Sequence, residues 1–189
     1  MATFAVVTAG VIGILTGVVC AQNPWSSRAI LFLCDFFQTF PSFIYLIPVI
    51  LLFGITDTSV IIAAIVYAAV PATRFTVEGL KSVPAVIQDA GSMSGVSRIQ
   101  RLVSIELPLA FPHIVLGLNQ TVVFALFMVI IGAFIGTTDL GQLILKSISD
   151  PQGTGIGLTL GLCVAFIGLT VDQIIRTWAD NKKQLLGLI

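Results

Sequence analysis

The first charged side chain in this sequence is Arg28, and from Leu107 to Thr138 there is again no Asp, Glu, Lys or Arg. Runs of that length without charge constrain the fold more than any motif does. Phe4 to Ala21 alone is enough to cross a hydrocarbon core of about 30 Å, which takes about 20 helical residues. No basic start precedes it and no small-residue cleavage site follows, which argues for a span rather than a signal peptide. Over the whole chain 57% of residues are hydrophobic and 10% charged. A soluble domain carries roughly 25% charged residues. The expected fold class is therefore all-α, a polytopic membrane protein with about five transmembrane helices.

The spans are expected at Phe4–Ala21, Ala29–Ile55, Ser59–Thr73, Leu107–Thr138 and Ile156–Ile175. Gly10, Gly13 and Gly17 fall near one face of the first span, where they suit either close helix packing or simple tolerance of small residues. The second span holds Asp35, Gln38, Pro41 and Pro48. Two prolines break its hydrogen-bond ladder, so it is kinked or discontinuous. Broken helices at membrane depth line a pathway or are buried in protein. Gln38, Pro41, Tyr45 and Pro48 are accordingly either pathway candidates or parts of a kink. Asp35 lies near the Arg28 end and reads as interfacial. The third span is short and ends at Arg74. The fourth carries Asn119 and Gln120, amides expected to hydrogen-bond across helices and added to the pathway candidates. His113 reads as a satisfied, interfacial histidine. Leu140 to Ile148 is expected as a short surface helix, and Gly157 and Gly161 as a weak helix contact.

Between the third and fourth spans lies a polar stretch, Pro84 to Pro108. Val83, Val86, Ile87 and Ala90 recur at helical spacing. The pattern predicts a short helix, a bend at Gly95, a second short helix through Arg98 and Arg101, and a proline at the entry to the next long helix. If successive spans alternate sides, Arg28, Arg74, Lys81, Arg98, Arg101, Arg176, Lys182 and Lys183 share one side, and Lys146 stands opposite. That distribution places the polar stretch and the C-terminus in the cytoplasm and the N-terminus outside.

Several function classes are excluded at this level. The formal net charge is zero, so no basic field for nucleic acid exists. Cys20, Cys34 and Cys163 are scattered, without metal or disulfide spacing. No catalytic residue, metal ligand or cofactor site is expected, and no Gly-x-x-x-x-Gly-Lys-Ser/Thr phosphate loop occurs. A self-contained carrier or channel would need ionisable groups deep in the spans. An intramembrane enzyme would need a metal motif or a nucleophile and base.

The polar stretch contains Asp89-Ala90-Gly91, three residues, Gly95, nine residues, then Ile105-Glu106-Leu107-Pro108. This resembles the cytoplasmic signature of binding-protein-dependent ABC importer permeases, Glu-Ala-Ala-x3-Gly-x9-Ile-x-Leu-Pro. Asp89 stands where that signature has Glu, and Gly91 where it has Ala. The stretch Asp35 to Pro48, with Leu52-Phe53-Gly54-Ile55, Leu107 to Pro112, Gly117 to Thr121 and Leu140-Gly141-Gln142, narrows the resemblance. It is similar to the permease subunits of glycine betaine/proline betaine and choline importers, over roughly residues 5 to 178.

The resemblance implies a type I ABC importer permease fold, one transmembrane domain over 1–189, with its coupling segment at 84–108. It also implies spans upstream of those seen here. Asp89, Ala90, Gly91, Gly95, Ile105, Leu107 and Pro108 would form a coupling helix and its approach. That helix would seat in a cytoplasmic ABC ATPase subunit, which alone binds ATP. An extracytoplasmic solute-binding protein and a second permease copy, as a homodimer in the lipid membrane, would complete the importer. The cargo implied is glycine betaine, proline betaine or another quaternary ammonium osmolyte. Methionine, sulfonate or nitrate importers, which share the signature, are the alternative. Arg98 and Arg101 would be partner contacts or, as favoured here, anchors at the inner face. Phe40, Phe43 and Tyr45 suit a quaternary ammonium or mere packing equally.

Overall fold

A computed structural model describes residues 2–136, 140–149 and 154–185, and the described elements are all helical. They are α1 (Ala2–Ala21), α2 (Pro24–Thr39), α3 (Phe43–Phe53), α4 (Asp57–Lys81), α5 (Ala85–Met93), α6 (Arg98–Arg101), α7 (Leu107–Gly132), α8 (Leu140–Ser149) and α9 (Thr154–Leu185). Among the described residues, four stretches are long and apolar enough to cross a membrane: Ala2–Ala21, Asp57–Lys81, Arg98–Ile135 and Gly155–Lys182. The pair α2 and α3 would make a fifth, bent by 92° at its break.

α4 is the central rod, packed against both α1 and α7, which also touch each other where Gly10 meets Leu118. Small residues let these backbones approach. A Cβ on Gly13 would lie 2.5 Å from Ala72 Cβ and 2.8 Å from the Ala69 carbonyl. Gly17 meets Thr76 in the same way, Gly117 meets Phe75 and Pro71, and Gly132 meets Val60. Ala5, Ala9, Ala63, Ala64, Ala68 and Ala125 are fully buried along these seams. In lipid, close van der Waals packing takes the place of a hydrophobic drive between helices. The face expected from Gly10, Gly13 and Gly17 is thus a packing face. Of the other expected pair, Gly157 packs against Ser147 of α8, whereas a Cβ on Gly161 would meet nothing.

The break between α2 and α3 has a local cause. Phe40 precedes Pro41 and is extended (φ −78, ψ 135), as the residue before a proline prefers. The hydroxyl of Tyr45 reaches back across the break and donates to the Phe37 carbonyl. Tyr45 is 7% exposed and belongs to the core around Leu46, Val60 and Met128.

Two expectations are corrected. The third span does not end at Arg74: α4 continues to Lys81, and Arg74 sits inside it. A charge ends a span only if it has no partner, and Arg74 has several. The second short helix of the polar stretch is not separate either. From Arg98 the helix passes through a wide π turn, Leu102–Glu106, directly into α7. In that turn the Leu107 amide bonds the Leu102 carbonyl, five residues back. The widened ladder carries the helix past Pro108, which has no amide hydrogen to contribute. The surface helix expected at Leu140–Ile148 is α8, while Thr137 to Asp139 and 150–153 lie outside the described residues.

Candidate functional site: a polar hairpin and an inter-helix cavity

The polar stretch folds as a hairpin of α5 and α6. Gly95 turns it at φ +74, the left-handed region that a side chain disfavours. Space is not the reason, since a Cβ there would meet no atom within 4 Å. The second arm starts with a reciprocal cap: the Gln100 amide donates to Ser97 Oγ, and the Ser97 amide donates to Gln100 Oε1. This Ser-x-x-Gln box was readable in the sequence and marks the helix start.

The two arms are joined at Gly91. It is the buried residue of α5, and a Cβ there would lie 3.0 Å from Ile105 Cδ1. Arg101 closes the clasp: Nη1 donates to Ser92 Oγ at 2.6 Å, and Nε donates to Glu106 Oε1 at 2.8 Å. Arg101 is therefore held by the hairpin itself, a role that spacing alone did not reveal. The opposite face of α5 is open. Val86 is 78% exposed and Met93 89% exposed, and Asp89 and Ala90 are exposed beside them. Leu107 and Pro108 are half-buried at the start of α7.

The second constellation lies between α2, α4 and α7. A cavity of about 450 Å³ is lined by Gln38, Pro71, Arg74, Phe75, Glu78, Gln120 and Phe124. Arg74 organises it. Its Nη1 donates to Gln38 Oε1 at 2.8 Å and lies 2.9 Å from Asp35 Oδ1, and its Nε donates to Glu78 Oε1 at 2.9 Å. Asp35 and Gln38 lie three apart in sequence, one helical turn, so both reach one cation. That pairing was the available signal for Arg74, and the interfacial reading of Asp35 had overlooked it. One wall of the cavity is aromatic in depth: Phe124 stacks on Tyr67 at 4.7 Å and 19°, and Tyr67 lies 4.9 Å from Tyr45.

The structure separates the other pathway candidates. Gln38 and Gln120 line one cavity, whereas Asn119 is 6% exposed on the core side of α7. Asn119 Oδ1 makes no hydrogen bond, contrary to the expected inter-helix amide contact. Tyr45 belongs to the core, and Pro41 and Pro48 are exposed at and beyond the break. His113 is not fully satisfied: its Nδ1 is buried without a partner, and its Cβ packs where a Gly79 side chain would be.

Comparison with known proteins agrees with this architecture. Residues 12–181 match the family described as binding-protein-dependent transport system inner membrane component. The chain is 64% identical over 188 residues to the trimethylamine N-oxide transport system permease protein TmoV of Pelagibacter ubique, covering 100% of this chain and 26% of that protein. It is 33% identical over 179 residues to the glycine betaine permease OpuAB of Bacillus subtilis, covering 95% of this chain and 63% of that one. With the glycine betaine/proline betaine permease ProW of Escherichia coli it shares 35% identity over 173 residues, 92% of this chain and 49% of that one. The chain thus spans about a quarter of the first relative and about half to two thirds of the others. Among solved structures, the inward-facing MetNI methionine ABC transporter superposes with a TM-score of 0.76 at 20% identity, over 98% of this chain and 91% of that one. That likeness concerns the fold alone.

Proposed function

Because this chain belongs to the family of inner-membrane components of binding-protein-dependent transport systems, we infer that it is the pore-forming segment of an ABC importer for a small methylated amine. Trimethylamine N-oxide and glycine betaine are the cargoes in view, since relatives that carry those names align along nearly the whole chain. The motifs alone favour glycine betaine; the 64% identity to TmoV brings trimethylamine N-oxide forward. Both solutes pair methylated nitrogen with an oxygen acceptor.

One observation carries the reading: the cavity beside Arg74 offers both halves of that recognition. The guanidinium and the amides of Gln38 and Gln120 are donors for an oxide or carboxylate. The Phe75 and Phe124 rings and the Glu78 carboxylate suit a methylated cation. The same cavity holds Gln38 and Gln120, two of the residues singled out for the pathway.

The hairpin is the coupling element in this reading. Its open apolar face, Val86 and Met93, would sit in a groove of a cytoplasmic ATPase subunit. Asp89, Ala90, Gly91 and Gly95 would carry the motion to Ile105, Leu107, Pro108 and so to α7, because the π turn makes hairpin arm and span one continuous helix. ATP would be hydrolysed on that partner. An extracytoplasmic binding protein would deliver the solute to a pore shared with a second permease copy.

The test is reconstitution of the full transporter with its ATPase and binding protein, followed by ATP-dependent uptake of labelled trimethylamine N-oxide, glycine betaine and methionine. Uptake of either methylated amine and not of methionine is expected. Uptake of methionine alone would overturn the cargo assignment.

A further inference from the structure

A second cleft, of about 440 Å³, lies where the hairpin meets the ends of α1, α2 and α4. Its charged lining is Arg28, Lys81, Arg98 and Arg101 with one carboxylate, Glu106. Four cations against one anion leave an excess of three positive charges. Glu106 is already held by Arg101. Among the described residues, Arg28, Lys81 and Arg98 form no ion pair.

A surface cluster of cations would need no ligand, but this one has a buried polar group behind it. Ser27 lines the same cleft, is 1% exposed, and its Oγ has no hydrogen-bond partner. A buried hydroxyl without a partner destabilises the fold unless something supplies the bond. Ser27 and Arg28 lie in the opening turns of α2, which add the partial positive charge of a helix N-terminus. The rest of the lining combines the amides of Gln22 and Gln88 with apolar side chains: Val18 and Ala21 from α1, Pro24 from α2, Leu80 from α4 and Leu102 from the π turn. Cations with a hydroxyl fit a phosphate, and apolar walls at the end of membrane spans fit the chain attached to it.

We propose that this cleft binds a phosphate anion, and that the phosphodiester headgroup of an anionic phospholipid is its source. The lipid would bridge the hairpin, through Arg98 and Arg101, to the ends of α2 and α4, through Ser27, Arg28 and Lys81. Hairpin motion would then be felt at the membrane face. The proposal rests on the chain's place in a membrane and not on which solute crosses it.

The test is native mass spectrometry of the detergent-purified transporter titrated with phosphatidylglycerol, phosphatidylcholine or inorganic phosphate. Phosphatidylglycerol is expected to be retained over phosphatidylcholine. The Arg28→Gln/Lys81→Gln pair should lower that retention by about an order of magnitude, and the charge-keeping Arg28→Lys/Lys81→Arg pair should restore it. Should the glutamine pair fail to fold, Arg98→Gln, at an exposed position, and Ser27→Ala report the same loss singly. Equal retention of the two lipids, or unchanged retention in the neutralised variants, would overturn the site. Inorganic phosphate that displaces phosphatidylglycerol at equal concentration would overturn the lipid as the source. Because only binding is read, failure here leaves the transport reading untouched.

Discussion

Arg74 in α4 and Asp35 in α2 meet at 2.9 Å, which ties the broken helix to the central rod of the bundle. The same guanidinium holds Gln38 and Glu78, so one cation sets the wall of the cavity. The side chains of Arg74 and Asp35 are 33% and 59% exposed, and a pair this open contributes little by itself. A double-mutant cycle with Asp35→Asn and Arg74→Gln should give a coupling of about 0.5–1 kcal/mol in detergent unfolding. A coupling indistinguishable from zero would mean the two residues are neighbours and not partners.

Gln120 and Asn119 are adjacent in sequence but should behave differently. Gln120→Ala removes a donor from the cavity and should raise the uptake KM about tenfold, the equivalent of one hydrogen bond to a charged group, with stability unchanged. Asn119 faces the core with an unpartnered oxygen. Asn119→Leu should therefore raise the unfolding temperature or leave it level, with KM unaffected. A reversed pattern in the two variants would place the pathway on the other side of α7.

Gly95 and Gly91 separate conformation from space. Gly95 has φ +74, so Gly95→Val forces a side chain into a region costing about 1–2 kcal/mol. Uptake should be lost while membrane insertion persists. Gly91→Ala crowds the flexible end of Ile105 at 3.0 Å and makes ordinary contact with Arg101 at 3.6 Å, and alanine favours the helix by about 1 kcal/mol. Uptake should survive in Gly91→Ala and fall in Gly91→Leu, which would push Ile105 and Arg101 aside. Normal transport in Gly95→Val would remove the hairpin from the coupling role.

Gly13 reports the packing of α1 on α4. Its Cβ would meet the Ala69 carbonyl at 2.8 Å, and backbone cannot step aside. Gly13→Ala should cost about 1–3 kcal/mol, the usual range for overpacking. Gly10→Ala faces only Leu118 Cδ2 at 3.0 Å and should cost less. Thermal unfolding of the two variants side by side checks the order. Equal losses would show that the seam is looser than these distances.

Arg101→Gln should loosen the hairpin through loss of the Ser92 and Glu106 contacts. The expected outcome is faster proteolysis or hydrogen exchange between Ala85 and Arg101, with α4 unchanged. Exchange that stays level across the hairpin would deny Arg101 its clasp.

Charge-free runs and proline and glycine positions were enough to read helices, a broken second span and a bend at Gly95, and to offer a packing face on α1 as one of two readings. These are local properties, set by solvation of a helix in lipid and by backbone sterics, and they need no knowledge of neighbours. What the sequence could not decide is where a charge finds its partner. Arg74 reads as the end of a span until α2 brings Asp35 and Gln38 to it from 39 and 36 positions earlier. Arg101 reads as an anchor until the turn at Gly95 brings Ser92 within reach. A buried or half-buried ion is tolerated only where folding supplies a counter-charge, so its meaning is fixed by tertiary contact and not by its place in the chain.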